Sequence, residues 1–83
     1  MATTTANVTD TYTLIVADGS WISVQNRGVS DVDAYIGTSL PADTVEGFIL
    51  KPLDMMLPDT FGSGNVYMKT RKSNDESTVA IGL

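Results

Sequence analysis

The stretch Thr11-Tyr12-Thr13-Leu14-Ile15-Val16-Ala17-Asp18-Gly19-Ser20-Trp21-Ile22-Ser23-Val24-Gln25-Asn26 decides the fold class. Its first half alternates Tyr12, Leu14 and Val16 against Thr11, Thr13 and Ile15, in residue types that favour strands. Asp18-Gly19 follows, and the glycine readily takes the positive φ of a tight hairpin turn. From Trp21 the alternation resumes, with Ile22 and Val24 on one face and Trp21, Ser23 and Gln25 on the other. The pattern predicts that the two halves pair as an antiparallel hairpin.

The same texture runs toward the C-terminus. Arg27 to Asp31 reads as a loop and Val32 to Ile36 as a third strand. Gly37 to Glu46 is a longer polar connection containing Pro41. Gly47 to Lys51 gives a fourth strand, with Phe48 and Leu50 on one face. Pro52-Leu53-Asp54 turns into the short strand Met55-Met56-Leu57, closed by Pro58; prolines bound strands because they lack the ladder's donor. Thr60 to Asn65 is a Gly-rich loop. Val66, Met68 and Thr70 then alternate against Tyr67 and Lys69. Arg71 to Glu76 reads as a solvated loop, and Ser77 to Leu83 ends the chain with Val79 and Ile81 on one face. No segment carries the apolar stripe of a helix, and Asp43 to Glu46 has room for one helical turn at most.

Toward the N-terminus, Met1 to Asp10 is Thr- and Ala-rich, with no sustained pattern, and is expected to be a flexible, extended arm. The expectation is therefore all-β: a small antiparallel β-sandwich or flattened barrel of about seven short strands over residues 11–83, preceded by an arm over 1–10.

Composition narrows the function classes. An 83-residue chain holds one domain, and a domain this small buries only roughly 60–65% of its unfolded surface, so its stability margin is thin. Cysteine and histidine are both absent. That removes disulfides, thiolate metal sites and the side chain best suited to proton transfer at neutral pH. Of the usual reinforcements for a small core, oligomerisation or docking on a larger body remains. Net charge is −5, from ten acids and five bases. Nucleic-acid binding needs a basic footprint, and Lys69, Arg71 and Lys72 are too few to supply one. Acidity equally disfavours an anionic membrane surface. The N-terminus has neither the basic nor the apolar region of a secretory signal, and no apolar run approaches the ~20 residues of a membrane helix. The chain reads as a soluble protein, in which the Asn7-Val8-Thr9 sequon has no role.

Catalysis lacks its parts. No His or Cys can activate a nucleophile, and Lys51, Lys69 and Lys72 fall where solvent keeps them protonated. Gly62-Ser63-Gly64 has neither the spacing nor the following helix of a nucleophile elbow. Asp31 with Asp33, and Asp75 with Glu76, read as solvated surface carboxylates, since a small sandwich has little room for a glycosidase-type cleft. Asp31 and Asp33, or Asp43 and Glu46, fall short of a calcium loop's ligand density. The expectation is no enzyme, no cofactor and no metal. Interaction surface remains. Trp21, on a polar face, is either an interface anchor or a cover for the open end of the sandwich. Adjacent Met55 and Met56 point to opposite faces, so one fills the core and the other is an outward contact or lies beneath a loop. Phe61, in the Gly-rich loop, is an interface plug or a loop anchor.

Several phrases together carry a family resemblance: Ile22-Ser23-Val24-Gln25-Asn26-Arg27-Gly28, then Ala34-Tyr35-Ile36-Gly37, then Gly47-Phe48-Ile49-Leu50-Lys51-Pro52-Leu53-Asp54, then Val66-Tyr67-Met68 and Thr78-Val79-Ala80-Ile81. From Trp21 to Ile81 the chain resembles a family of small bacteriophage structural proteins. Their pattern is an apolar strand, Gln-Asn, a small strand ending in Gly, Leu-x-Pro-Gly-Glu and a Tyr-containing strand. This chain departs from it where Leu53-Asp54 replaces Gly-Glu. The resemblance implies a β-sandwich that decorates or completes a virion. Its localisation would be the capsid surface after synthesis in the host cytoplasm, its partner the major capsid protein or another virion protein, and its state a homo-oligomer, with a trimer favoured. On that reading Thr3, Thr4, Thr5 and Val8 of the arm, with Trp21, Met55, Met56 and Phe61, make protein contacts. The alternative is a tail, baseplate or fibre-associated protein involved in host attachment, which calls for a surface aromatic patch. A soluble inhibitor mimicking nucleic acid would need its acids on one face, and here they are spread among loops.

Overall fold

The computed structural model describes residues 3–19, 21–57 and 64–82. Their strands are β1 (Thr3–Val8), β2 (Thr13–Val16), β3 (Ser23–Asn26), β4 (Val32–Gly37), β5 (Phe48–Leu50), β6 (Met55–Met56), β7 (Asn65–Thr70) and β8 (Ser77–Gly82). Among the described residues no helix forms. Two four-stranded antiparallel sheets face each other, the first in the order β1-β8-β3-β6 and the second in the order β2-β7-β4-β5. The all-β sandwich expected from the alternation is the observed architecture.

The order has a simple origin. β1 pairs with β8, β2 with β7, β3 with β6 and β4 with β5. The N-terminal half thus forms one long antiparallel ribbon with the C-terminal half. Rolling that ribbon up brings β3 beside β8 and β4 beside β7. This winding is a jelly roll.

Two expectations are corrected here. β2 and β3 do not form a hairpin; they lie in opposite sheets. Alternation reports which face of a strand is buried, not which strand lies beside it. Gly19 does take φ 75°, but the turn carries the chain from one sheet to the other. Asp18 pins the crossing: its N–H donates to Asn65 Oδ1 (2.9 Å) and its Oδ1 accepts from the Gly64 N–H (3.0 Å). The second correction is the arm. Thr3–Val8 is a paired strand whose Ala6 and Val8 face the core, so the sandwich has an eighth strand and its body includes these residues. Threonine favours strands, but its polar hydroxyl and the small size of Ala6 hid the alternation from a purely apolar count.

Between the sheets lie Val8, Trp21, Val24, Val32, Ala34, Leu50, Met56, Val66, Met68, Val79 and Ile81. A bulge between Leu14 and Val16 turns both Ile15 and Val16 toward this core and leaves Leu14 half exposed. Buried polar groups hold one end together. Asn26 is fully buried; its Nδ2 donates to Ser30 O (2.7 Å) and Leu50 O (2.9 Å), while its Oδ1 accepts from Gly28 N (3.0 Å) and Ser77 Oγ (2.7 Å). Gly28 fits because it has no side chain: a Cβ there would collide with Ser77 Oγ.

Candidate functional site: the outer face of the first sheet

Register fixes what the first sheet shows to solvent. Inward positions run Thr4, Ile81, Val24 and Met56 in one row and Ala6, Val79 and Asn26 in the next. By strand alternation the rows between them point outward. One is Thr3, Gly82 and Ser23; the next is Thr5, Ala80, Gln25 and Met55; the third begins Asn7 and Thr78. None of these side chains is charged, on a protein with 18% charged residues. Charges enter only at the rim, where Asn7 Nδ2 donates to Glu76 Oε1 (2.6 Å) and Arg27 Nη1 donates to Gln25 Oε1 (3.2 Å). The face is uncharged and built mostly of small side chains, so docking on it strips no ion of water, while its hydroxyls and amides require partners.

An apolar ridge borders it on the β6 side. Leu53 is 68% exposed, Met55 51% and Leu57 42%. Leu53 sits in a turn closed by Asp54 N–H donating to Lys51 O (2.9 Å), with Lys51 N–H donating to Asp54 Oδ2 (3.2 Å). Pro52 takes the second position and Leu53 the third, at φ 72°. That is the position of a type II turn normally given to glycine. The departure from Pro-Gly noted in the sequence therefore places a leucine in the left-handed region, at a cost of about 1–2 kcal/mol. Strain of this kind is typical of positions selected for function rather than stability. The ridge is tied to the face, since Gln25 Nε2 donates to Leu53 O (3.0 Å).

The expected contact residues divide between surface and core. Thr3, Thr4 and Thr5 are exposed on β1, and Met55 points outward. Met56, on the opposite face as expected, is fully buried. Val8 is fully buried and Trp21 is 6% exposed, both within the core. These are corrections: Val8, Trp21 and Met56 fill the sandwich and offer no outward contact. Trp21 precedes β3, so extending that strand's alternation back to it placed its ring on the wrong side. Phe61 lies outside the described residues. The sequence reading missed Thr78, Ala80 and Gly82; their signal was the run of small residues alternating with Val79 and Ile81.

The outer face of the second sheet is built differently. Tyr35 and Tyr67 pair directly across β4 and β7, as do Asp33 and Lys69. Tyr12 packs edge-on to Tyr35 (6.3 Å between centroids), and Lys69 Nζ lies 5.6 Å from the Tyr12 centroid. The β4–β5 connection covers this cluster: Tyr12 OH donates to Val45 O (2.7 Å) and Tyr12 N–H donates to Asp43 Oδ1 (2.9 Å). Burial raises the Tyr12 pKa above its ordinary 10.0, with Asp33, Asp43 and Glu46 adding to the shift and Arg71 opposing it. Asp33 is buried, contrary to the solvated carboxylate expected, and Lys69 is largely buried with it. Asp33 Oδ1 is 3.2 Å from Arg71 Nη1, an ion pair without hydrogen-bond geometry, and Oδ2 is 3.7 Å from Lys69 Nζ. Two cations compensate the carboxylate. The middle of this face is a filled layer, with Leu14 and Ile49 half-exposed on its edge strands β2 and β5.

At the end of the sandwich an open cleft of about 220 Å³ is lined by Val29, Ser30, Asp31, Arg71, Lys72 and Asp75. Its charges are of both signs, and it contains no nucleophile paired with a base. Among the described residues, no three His, Cys, Asp or Glu side chains converge as a metal-ligand set. No helix there is long and apolar enough to cross a membrane. No family model matches the chain, and neither a curated protein nor a solved structure matches it.

Proposed function

We propose that this chain is a non-enzymatic virion structural protein that decorates a bacteriophage capsid, docking on assembled major capsid subunits and stabilising the head. The observation that carries the docking part is the uncharged outer face of the first sheet, flanked by the strained, exposed Leu53 and by Met55. Interface centres are depleted of charge and desolvated, while rims stay polar, and Glu76 and Arg27 stand where a rim would be. The virion part rests on the sequence resemblance. The jelly-roll winding recurs in viral capsid domains, as it does in lectins and cupins, and supports it only as an analogy of fold.

A ligand that binds only the assembled shell stabilises it by about 2.7 kcal/mol per site at a hundredfold excess over Kd. The tail or fibre reading asks for open aromatic rings. Tyr12 and Tyr67 are buried in the covered layer, while Phe48 on β5 is 52% exposed and Tyr35 half-buried, so the aromatic surface that the tail reading would use centres on Phe48. Copy number tests the assignment. Quantitative mass spectrometry of purified particles should find the chain in numbers comparable to the major capsid subunit. A handful of copies would move it to the tail, and none would remove it from the virion.

A further inference from the structure

Among the described residues, β1 has a hydrogen-bonded neighbour on one side only, β8. Its six residues, Thr3-Thr4-Thr5-Ala6-Asn7-Val8, hold that register without a shift. The strand contains no charge, no proline and no bulge, the devices by which proteins protect exposed edges. An open edge of this kind is a template for a further strand.

We propose that β1 pairs edge to edge with β1 of a second copy, antiparallel and centred on Thr5, joining two first sheets into one. Two-fold pairing sets the side chain on the axis against its own copy, so a charge there would repel itself; β1 has none. A two-fold axis normal to the sheet keeps both outer faces on the same side, so only residues of equal parity can meet. Centred on Thr5, the pairing sets Thr3 against Asn7 of the second copy and Thr4 against its Ala6. Thr5 meets Thr5, a favourable cross-strand pair. The alternative centre, Ala6, would bring the Asn7-bound Glu76 carboxylates of the two copies closer together. The product is a single uncharged face twice as wide as that of one copy. A ladder of five residues per strand, Thr3 to Asn7, buries less than a standard interface, so the pair is weak and depends on concentration.

Sedimentation of the full chain from about 10 μM to 1 mM tests the pairing, in the range expected for so small an interface. The mass should rise toward twice the 8.8 kDa of one chain. Thr5→Lys and Thr5→Glu should each stay monomeric with unchanged circular dichroism, because Thr5 is exposed. An equal mixture of the two variants should recover the dimer. A wild type that stays monomeric throughout, or forms trimers, overturns the proposal. So does a Thr5→Lys variant that dimerises like wild type, or a mixture that remains monomeric. Shell occupancy plays no part in this readout, so its failure is separate from failure of the decoration reading.

Discussion

Ser77 donates its hydroxyl hydrogen to Asn26 Oδ1 across 2.7 Å, joining side chains 51 positions apart in the chain. The bond links β3 to β8 inside the first sheet, and the other bonds of Asn26 reach Gly28, Ser30 and Leu50. One amide thereby satisfies four groups at one end of the sandwich.

Asn26→Ala strands buried donors and acceptors, each costing about 1–3 kcal/mol. The expected loss is on the order of 3 kcal/mol, a large share of the ~5 kcal/mol that a small domain commands. Ser77→Ala should lose about 1 kcal/mol, because Asn26 keeps its other partners. Urea denaturation of both variants measures the difference.

Leu53→Gly relieves a left-handed leucine at about 1–2 kcal/mol but frees the unfolded chain, which returns roughly 0.4–1 kcal/mol. The variant should be more stable by about 0.5 kcal/mol. It also removes the most exposed side chain of the ridge, so shell binding should weaken as stability rises. Thermal melts and a binding assay on the same sample separate the two effects.

Tyr12 links stability to alkaline pH. Its folded-state pKa is raised above 10.0, chiefly by burial and then by Asp33 and Asp43. The folded state therefore holds its proton more tightly than the unfolded chain. Stability from this group is fully present below about pH 10 and declines as pH rises from there through the folded value. Tyr12→Phe should flatten that decline in denaturation curves collected between about pH 9 and 11.

Asp33→Asn leaves Lys69 and Arg71 without their carboxylate. A fully buried pair broken this way costs about 3–5 kcal/mol. Arg71 keeps a third of its side chain in water, which reduces the expected loss to about 2 kcal/mol. Adding Lys69→Met should recover part of it, in a double-mutant cycle read by urea denaturation.

The fold class was legible because turn residues divide the chain into short alternating runs, and the inward sets Val66-Met68-Thr70 and Val79-Ile81 were read directly. Strand order was not legible. Asp18-Gly19 has hairpin chemistry, yet its neighbours pair with strands from the far end of the chain. That long-range choice is made by packing two sheets, which no local window contains. Trp21 escaped because it precedes its strand, and β1 because threonines give little apolar contrast. Of the candidate surface, Thr3, Thr5 and Met55 were legible from sequence, while Thr4 lies in an inward row. Thr78, Ala80 and Gly82 acquire meaning only once β8 lies between β1 and β3.

Ala80 stands in the middle row of the uncharged face, between Thr5 and Gln25. A lysine there leaves the core untouched and puts a charge at the centre of the surface. The most direct measurement is binding of wild type and Ala80→Lys to purified capsids stripped of the protein. Wild type should bind at saturable stoichiometry, and the variant, equally folded, should bind at least about tenfold more weakly, as for a charge forced into a desolvated interface. Equal binding by the two proteins, or no binding by wild type, would contradict docking through this face.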